Sequence, residues 1–263
     1  MTRITWNDPG DRLYEFGIDR GVLYTKSGKV APWNGLRGID EKPVGSEVST
    51  FYLDGEKFNQ MVDSEEYSAT LSAFTYPDEF KECDGTIALS KGLHVTGQDR
   101  TLFDLSYRTM LGNDTDGPDH GYRIHLVYNA LASPTTRSNS TTEDSPKPID
   151  LAWDITSMPI RMPGQRASAH YYIDSTKMNK YILAQIEDIL YGTSTQPPRM
   201  LSAAELVLFF KNATVVTITD NGDGTWTAEG PDDIIQFISW DEFIISWDSA
   251  VFIDDVTYTL KTE

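Results

Sequence analysis

Acidic side chains are the most numerous candidates for chemistry in this chain, which holds 40 aspartates and glutamates. Adjacent pairs of them occur at Glu65/Glu66, Asp78/Glu79, Asp232/Asp233 and Asp254/Asp255. A glycoside hydrolase needs two carboxyl groups that face each other across a cleft. Neighbouring residues of a strand point to opposite faces of its sheet, so an adjacent pair is poorly placed for that chemistry. Carbohydrate hydrolysis is therefore an alternative that rests on residue counts alone.

Metal and thiol chemistry has few candidates. The four histidines are His94, His120, His125 and His170, and the single cysteine is Cys83. Their spacing matches no zinc motif, and one thiol can neither complete a thiolate cluster nor form an internal disulfide. Residues 220–224 lack the alternating ligands and the distant glutamate of a calcium loop. We expect no metal and no cofactor.

Nucleophilic and nucleotide-dependent enzymes also lose their usual signals. The chain has no G-x-S-x-G elbow, no Walker loop and no G-x-G-x-x-G after a strand, so we expect a protein that is not an enzyme. Tryptophans that could stack on sugars occur at Trp226, Trp240 and Trp247. On short strands such residues more often fill a small core. A carbohydrate-binding or carbohydrate-hydrolysing β-sandwich remains the alternative.

Charge and hydropathy restrict the partners. The formal net charge is −18 with a pI of about 4.5. Nucleic-acid binders present basic patches that release counterions, so specific binding of nucleic acid is not expected. The longest apolar runs are far shorter than the roughly 20 residues that cross a bilayer, and the N-terminus has no apolar signal core. We expect a soluble protein without a membrane partner.

Alternation of polar and apolar residues predicts a mainly β protein. The predicted strands span residues 47–53, 66–74, 103–110, 121–130, 149–156 and 167–173. One helix is predicted from a cap at Asp174 or Ser175 to Gly192, with an apolar stripe at helical spacing. The interpretation for this helix is that it covers the open face of the sheet.

The two ends of the chain differ from its middle. Residues 1–43 lack sustained periodicity and carry many aromatics, which indicates an arm that docks on a neighbour or packs on its own domain. Residues 76–99 form an irregular insert. Pro197 and Pro198 mark a boundary, after which Ser202 and Glu205 form a capping box. We therefore predict an arm (1–43), a β domain with the helix (44–195) and a small C-terminal α+β appendage (196–263).

Short phrases of sequence occur in a recognisable order along the chain, at residues 19–24, 32–36, 73–80, 105–109, 112–114 and 121–128. In this order they resemble the major tail proteins, or tail tube subunits, of long-tailed, non-contractile bacteriophages that infect actinobacteria. The resemblance covers most of residues 11–192 and, more loosely, the stretch from residues 221–228 through residues 253–254.

The resemblance implies a tail-tube-type β-sandwich or barrel with one packed helix. It implies hexameric rings that stack into the tail tube through which DNA passes to the host. The implied partners are other copies of the chain, the tape measure protein in the lumen, and the tail terminator and distal tail proteins at the two ends. The family offers no catalytic residue or cofactor, and its place is the virion tail after assembly in the host cytoplasm.

Two sets of residues are candidates for contacts within such a tube. The polar faces of two predicted strands would line a negatively charged lumen, which repels DNA; the alternative is that they face solvent outside. These candidates are Ser68, Thr70, Ser72, Asp150, Asp154 and Thr156. The aromatics of the arm are candidates for contacts from ring to ring. They are Trp6, Tyr14, Phe16, Tyr24 and Trp33.

Overall fold

The computed structural model describes residues 6, 8–42, 44–45, 48–62, 66–139, 141, 148–162, 165–178, 180–211, 217–220, 225–231 and 255–261. The chain divides into two compact units. The first unit comprises Met1–Thr176 with Pro198–Met200, and the second comprises Lys177–Pro197 with Leu201–Glu263. The predicted domain boundaries at residues 43 and 195 stay predictions. Among the described helices, none combines the length and the apolar character that a membrane span needs.

The first unit is mainly β, as the alternation predicts. Its strands are β1 Tyr14–Thr25, β2 Val30–Pro32, β3 Leu36–Glu41, β4 Val48–Leu53, β5 Glu56–Val62, β6 Ser68–Ala73, β7 Ile87–Ser90, β8 Leu93–Val95, β9 Phe103–Asn113, β10 Gly117–Pro134, β11 Leu151–Ser157 and β12 His170–Asp174. A short helix, α1 Lys81–Asp84, lies before β7.

Eight strands form one antiparallel sheet in the order β2-β1-β9-β10-β11-β6-β3, with β12 paired to β10. The long strand β10 serves two parts of this sheet, because residues 123–127 pair with β12 and residues 130–134 pair with β11. The register of β10 against β9 shifts between Val127 and Ala130, and Asn129 adopts a positive φ of 49°. Such a bulge bends a strand and increases its twist, so β10 can pass from one part of the sheet to the other.

The core of the first unit is built around large aromatic side chains. Trp153 is 1% exposed, and its ring centroid lies 5.1 Å from that of Phe80 and 6.1 Å from that of Trp33. The indole N–H of Trp153 donates to Asp84 Oδ1 at 2.7 Å, and that of Trp33 donates to the carbonyl of Thr75 at 2.9 Å. A buried indole therefore keeps its hydrogen bond while its ring fills the core.

The predicted insert at residues 76–99 has two different parts. Phe80 and Cys83, at the start of it, are fully buried and belong to the core cluster. The hairpin β7–β8 that follows is exposed along most of its length. The insert therefore anchors itself in the core before it leaves the sheet.

Residues 14–41 provide three strands of the large sheet. Strand β1 pairs with β2 through a hairpin at residues 24–30, and on its other side it pairs with β9. This part of the predicted arm therefore packs on its own unit, which is the second of the two interpretations of the arm.

The second unit contains the predicted helix as α2 Lys180–Tyr191, followed by α3 Ala203–Lys211. Helix α2 buries Ile182, Ile186 and Leu190 at helical spacing. Gly192 follows the helix with a φ of 80°, the left-handed conformation in which a glycine commonly ends a helix. It begins later than predicted, because Ser175–Lys177 form a 3₁₀ turn. Its packing on the sheet stays a prediction.

The predicted capping box precedes α3. The N–H of Glu205 donates to Ser202 Oγ at 3.2 Å, and the N–H of Ser202 donates to Glu205 Oε2 at 2.8 Å. A three-stranded sheet follows, with β13 Thr217–Asp220, β14 Thr225–Pro231 and β15 Asp255–Lys261 in that order. Residues 232–254 lie outside the described part of the chain. Trp240 and Trp247 lie in this range, so their structure is not described.

Candidate functional site

The first unit carries an open polar groove of about 850 Å³. Strand β3 forms one wall, and β1, β9, β10 and β12 form the rest. Among the described strands, β3 pairs with β6 alone and β12 pairs with β10 alone, so each presents a free edge. The lining includes Glu15, Glu41, Tyr107, Thr109, Arg123, His125, His170 and Tyr172.

Two histidines meet at the floor of this groove. Nδ1 of His125 lies 3.1 Å from Nε2 of His170, and the two ring planes are within 4° of parallel. The ring of Tyr107 stacks on the ring of His125, with the two ring centroids 4.6 Å apart. Antiparallel pairing of β10 with β12 places His125 opposite Tyr172 and Val127 opposite His170, so the histidines are diagonal neighbours on one face.

A chain of hydrogen bonds fixes the tautomer of His125. The hydroxyl of Thr109 donates to Glu15 Oε1 at 2.5 Å, and Arg123 pairs with the other oxygen of Glu15. Nε2 of His125 lies 2.9 Å from Thr109 Oγ1. Because a threonine hydroxyl has one proton, Nε2–H of His125 must donate to Thr109. The lone pair of His125 is therefore on Nδ1, toward His170.

Burial keeps both imidazoles neutral. Burial and, after it, the neighbouring His170 lower the pKa of His125 to about 4, although Glu41 and Glu15 act to raise it. Burial also lowers the pKa of His170. At neutral pH each ring thus has one unprotonated nitrogen that can accept a proton or bind a cation.

The carboxylates of the groove are held by neutral and cationic donors. Burial opposes ionisation of Glu15, but the hydrogen bond from Thr109 and the charge of Arg123 outweigh it and lower its pKa. The hydroxyl of Tyr107 donates to Glu41 Oε1 at 2.7 Å. Burial, then Tyr67 and Glu41, raise the pKa of Tyr107, so it stays a donor.

This groove is the feature that the sequence analysis missed. His125 and His170 are 45 residues apart, which matches no local metal or catalytic motif. The only signal was that Arg123 and His125 share one face of a strand, and His170 and Tyr172 share one face of another. Without the pairing of these strands, that alternation does not bring the histidines together.

The candidates for the lumen lie together on the outer face of β6 and β11. Along both strands they alternate with buried residues, and Asp150 lies one residue before β11. Thr70 lies opposite Asp154 and donates to its Oδ1 at 2.7 Å, while Nζ of Lys42 donates to Thr70 at 2.8 Å. Asp150 pairs with Arg37 at 2.6 Å. Whether this face, which also includes Ser68, Ser72 and Thr156, lines a channel stays a prediction.

The five aromatic candidates for ring contacts do not share one environment. Trp6, Tyr14 and Phe16 are exposed, as a contact surface requires. Tyr24 and Trp33 are only 3% and 2% exposed, so they have little surface to offer another subunit. The hydroxyl of Tyr24 is hydrogen-bonded to Ser106 at 3.1 Å in the core. A role in ring contacts stays a prediction, and it has surface support at the three exposed positions.

The hairpin β4–β5 exposes four large apolar side chains. Phe51, Tyr52, Leu53 and Phe58 are 50%, 70%, 57% and 71% exposed. Asp54 and Gly55 form the turn of this hairpin, with positive φ angles of 54° and 84°. A tight two-residue hairpin turn requires such angles. Exposed apolar clusters of this kind mark interaction surfaces.

No protein-family model matches the chain, and no curated protein matches it. Among solved structures, the chain is similar to the PVC sheath–tube complex of an extracellular contractile injection system in its extended state, at 18% identity and TM-score 0.30 over 59% of this chain and 88% of that chain. It is similar to the baseplate of the anti-feeding prophage, at 11% identity and TM-score 0.33 over 66% of this chain and 100% of that chain. It is also similar to the tube-terminating cap of that prophage, at 14% identity and TM-score 0.31 over 66% of this chain and 97% of that chain.

Proposed function

We propose that this chain is the subunit of a bacteriophage tail tube, in which hexameric rings stack into a hollow, non-contractile tube that conducts DNA to the host. The observation that carries the proposal is the hairpin β4–β5, whose four large apolar side chains are at least half exposed in the single chain. Apolar surface of this extent is stabilised when another protein covers it. The resemblance of the sequence to actinobacteriophage major tail proteins supports copies of this chain as that other protein.

The free strand edges favour association within a ring. An unpaired edge is a template for pairing with another chain, and a closed ring removes it by pairing the edge of each subunit with the next. Strands β3 and β12 offer such edges on either side of the groove. Pairing there would also cover the groove.

The hairpin favours association between rings. A contact in which one surface of a subunit meets a different surface of the next is heterologous, and repetition of it produces an open filament. A projecting apolar hairpin that inserts into the neighbouring ring is a contact of that kind. The tape measure protein in the lumen and the terminator and distal tail proteins at the ends complete the proposed set of partners, and the C-terminal residues 196–263 face outward.

The test of this function is the assembly state of the purified full-length chain. Sedimentation velocity and negative-stain electron microscopy at increasing concentration should show rings of six subunits and then hollow tubes. The proposal would be rejected by two results together: the purified chain stays a compact monomer at every concentration, and the tail tubes of the virions do not contain this chain.

Charge reversal on the outer face of β6 and β11 tests the lumen assignment. In the double variant Asp150→Lys and Asp154→Lys, tubes should form but DNA ejection should be slower, because lysine attracts phosphate and releases counterions. The delay should shrink as salt is raised, since salt screens the attraction. Ejection kinetics from purified virions provide the measurement.

The matched control for this variant reverses two exposed acids elsewhere in the first unit, Asp99→Lys and Asp119→Lys. It makes the same change in net charge, so it should leave ejection as in the wild type. Equal ejection rates for both double variants would place the face of Asp150 and Asp154 outside the channel while leaving the tube proposal intact.

A further inference from the structure

We propose that Glu41, His125 and His170 bind a divalent transition-metal ion at the floor of the groove, and that Zn²⁺ is the ion that fits them best. One ligand atom from each residue lies within 4.8 Å of the other two. Two imidazoles and a carboxylate are a ligand set that zinc uses in proteins. The inference does not depend on the proposed function.

The spacing of the two nitrogens suits a shared ion. Two histidine nitrogens that bind one tetrahedral Zn²⁺ at about 2.1 Å lie about 3.4 Å apart. Nδ1 of His125 and Nε2 of His170 are 3.1 Å apart, and Nε2 of His170 is 3.8 Å from Glu41 Oε1. A modest turn of the His170 ring and a shift of the partly exposed Glu41 side chain would direct all three ligand atoms at one point.

The surroundings of the three residues resemble the outer shell of a metal site. A metal-bound histidine usually donates its other ring N–H to a polar partner, which fixes its tautomer and its orientation. His125 donates Nε2–H to Thr109, and Thr109 in turn donates to Glu15. The ligating nitrogen, Nδ1, therefore keeps its lone pair. Tyr107 donates to Glu41 Oε1 and restricts that carboxylate in the same way.

The protonation state also suits a metal. Imidazole binds a metal only when it is neutral. Burial lowers the pKa of both His125 and His170. Binding requires only that the proton of His170 sits on Nδ1 rather than on Nε2, so the ring changes its tautomer and keeps its charge. Glu41 supplies a negative charge that offsets part of the charge of the ion.

An ion at this position would connect β3 with β10 and β12, and among the described strands β3 shares no hydrogen-bond ladder with either of them. Glu41 is on β3, His125 on β10 and His170 on β12, and among the described strands β3 and β12 pair with different partners. The open side of the groove leaves a further coordination position to water or to an incoming ligand. The ion would therefore hold β3 to β10 and β12 at the floor of the groove.

Calorimetric titration of the tag-free, chelator-treated full-length protein with ZnCl₂ tests the proposal. We expect one saturable site per chain and, with Co²⁺ in place of Zn²⁺, the visible absorption of a low-coordinate site. At about 100 times Kd the midpoint of thermal unfolding should rise by roughly 5–10 °C. His170→Ala and Glu41→Gln should each weaken binding by at least about 100-fold, more than the loss of an outer-shell partner costs.

Two further variants separate ligation from folding. Thr109→Val should weaken Zn²⁺ binding about 10-fold, and Thr109→Ser, which keeps the hydroxyl, should restore it. His120→Ala removes a histidine that pairs with Asp116 outside the groove and should bind as the wild type does. Circular dichroism identifies variants that are unfolded. Absence of saturable binding, or unchanged binding in folded His170→Ala, would overturn the proposal and leave the two histidines as a hydrogen-bonded pair.

Discussion

Replacement of Phe51 and Phe58 by aspartate should abolish tube assembly and leave the subunit folded. Both side chains are exposed in the single chain, so their removal takes no contact from the core. If they are buried between rings, each one is expected to contribute about 2 kcal/mol or more to every contact, as aromatic residues at the centre of interfaces do. A buried aspartate without a partner would add a desolvation penalty to that loss. Because the contact repeats along the tube, the loss repeats as well.

The control for this variant places the same two charges on the same hairpin without removing aromatic surface. Asn59→Asp and Gln60→Glu are adjacent exposed positions on β5 and are close to isosteric changes. Electron microscopy should show tubes for the control and single subunits or single rings for the aromatic variant. Normal tubes from the aromatic variant would show that the hairpin binds something other than the next ring.

Replacement of Trp153 by alanine should lower the free energy of unfolding of the first unit by about 3–5 kcal/mol. The side chain is 1% exposed and packs among Trp33, Tyr76 and Phe80, with ring centroids at 5.1–6.1 Å. Its removal leaves a cavity that the surrounding rings can fill only in part. It also removes the indole N–H that donates to Asp84 Oδ1 at 2.7 Å.

The matched control is Trp6→Ala, because Trp6 is the same residue type and is 74% exposed. Urea unfolding followed by circular dichroism should show a large shift of the midpoint for Trp153→Ala and a shift within about 0.5 kcal/mol for Trp6→Ala. Equal shifts for the two variants would contradict the burial of Trp153. Trp153→Phe should lie between them, since it keeps an aromatic ring and loses the N–H.

The local features of this fold were predictable because they are encoded by neighbouring residues. Alternation along β6 and β11 predicts that Leu71 and Ile155 are buried and that Thr70 and Asp154 lie on the opposite face. The structure confirms this arrangement. The capping box of α3 depends on two residues three positions apart, and it forms as predicted. The bounds were less accurate, because β10 extends to Pro134 across a bulge that the alternation does not reveal.

The aromatic candidates show where sequence reasoning stops. Tyr24 and Trp33 occur in a region without clear periodicity, and their residue types suit either a docking surface or a core. The structure buries both, because β1 pairs with β9 and the hairpin with β2 brings Trp33 against Phe80 and Trp153. Phe51 and Phe58 have the same chemical character and are exposed. Burial depends on what covers a face, and a strand does not encode that by itself.

The sequence by itself determined the mainly β class, the faces of individual strands, the capped start of α3 and the acidic charge, since each depends on composition or on residues within a few positions. Tertiary structure alone decided which strands that are distant in the chain pair and in which register. That pairing brings Glu41, His125 and His170 from three separate strands into one groove and, among the described strands, leaves one edge of β3 and one edge of β12 unpaired. The physical reason is that the two-residue period of a strand selects the face of a side chain, whereas the partner across that face is selected by long-range packing.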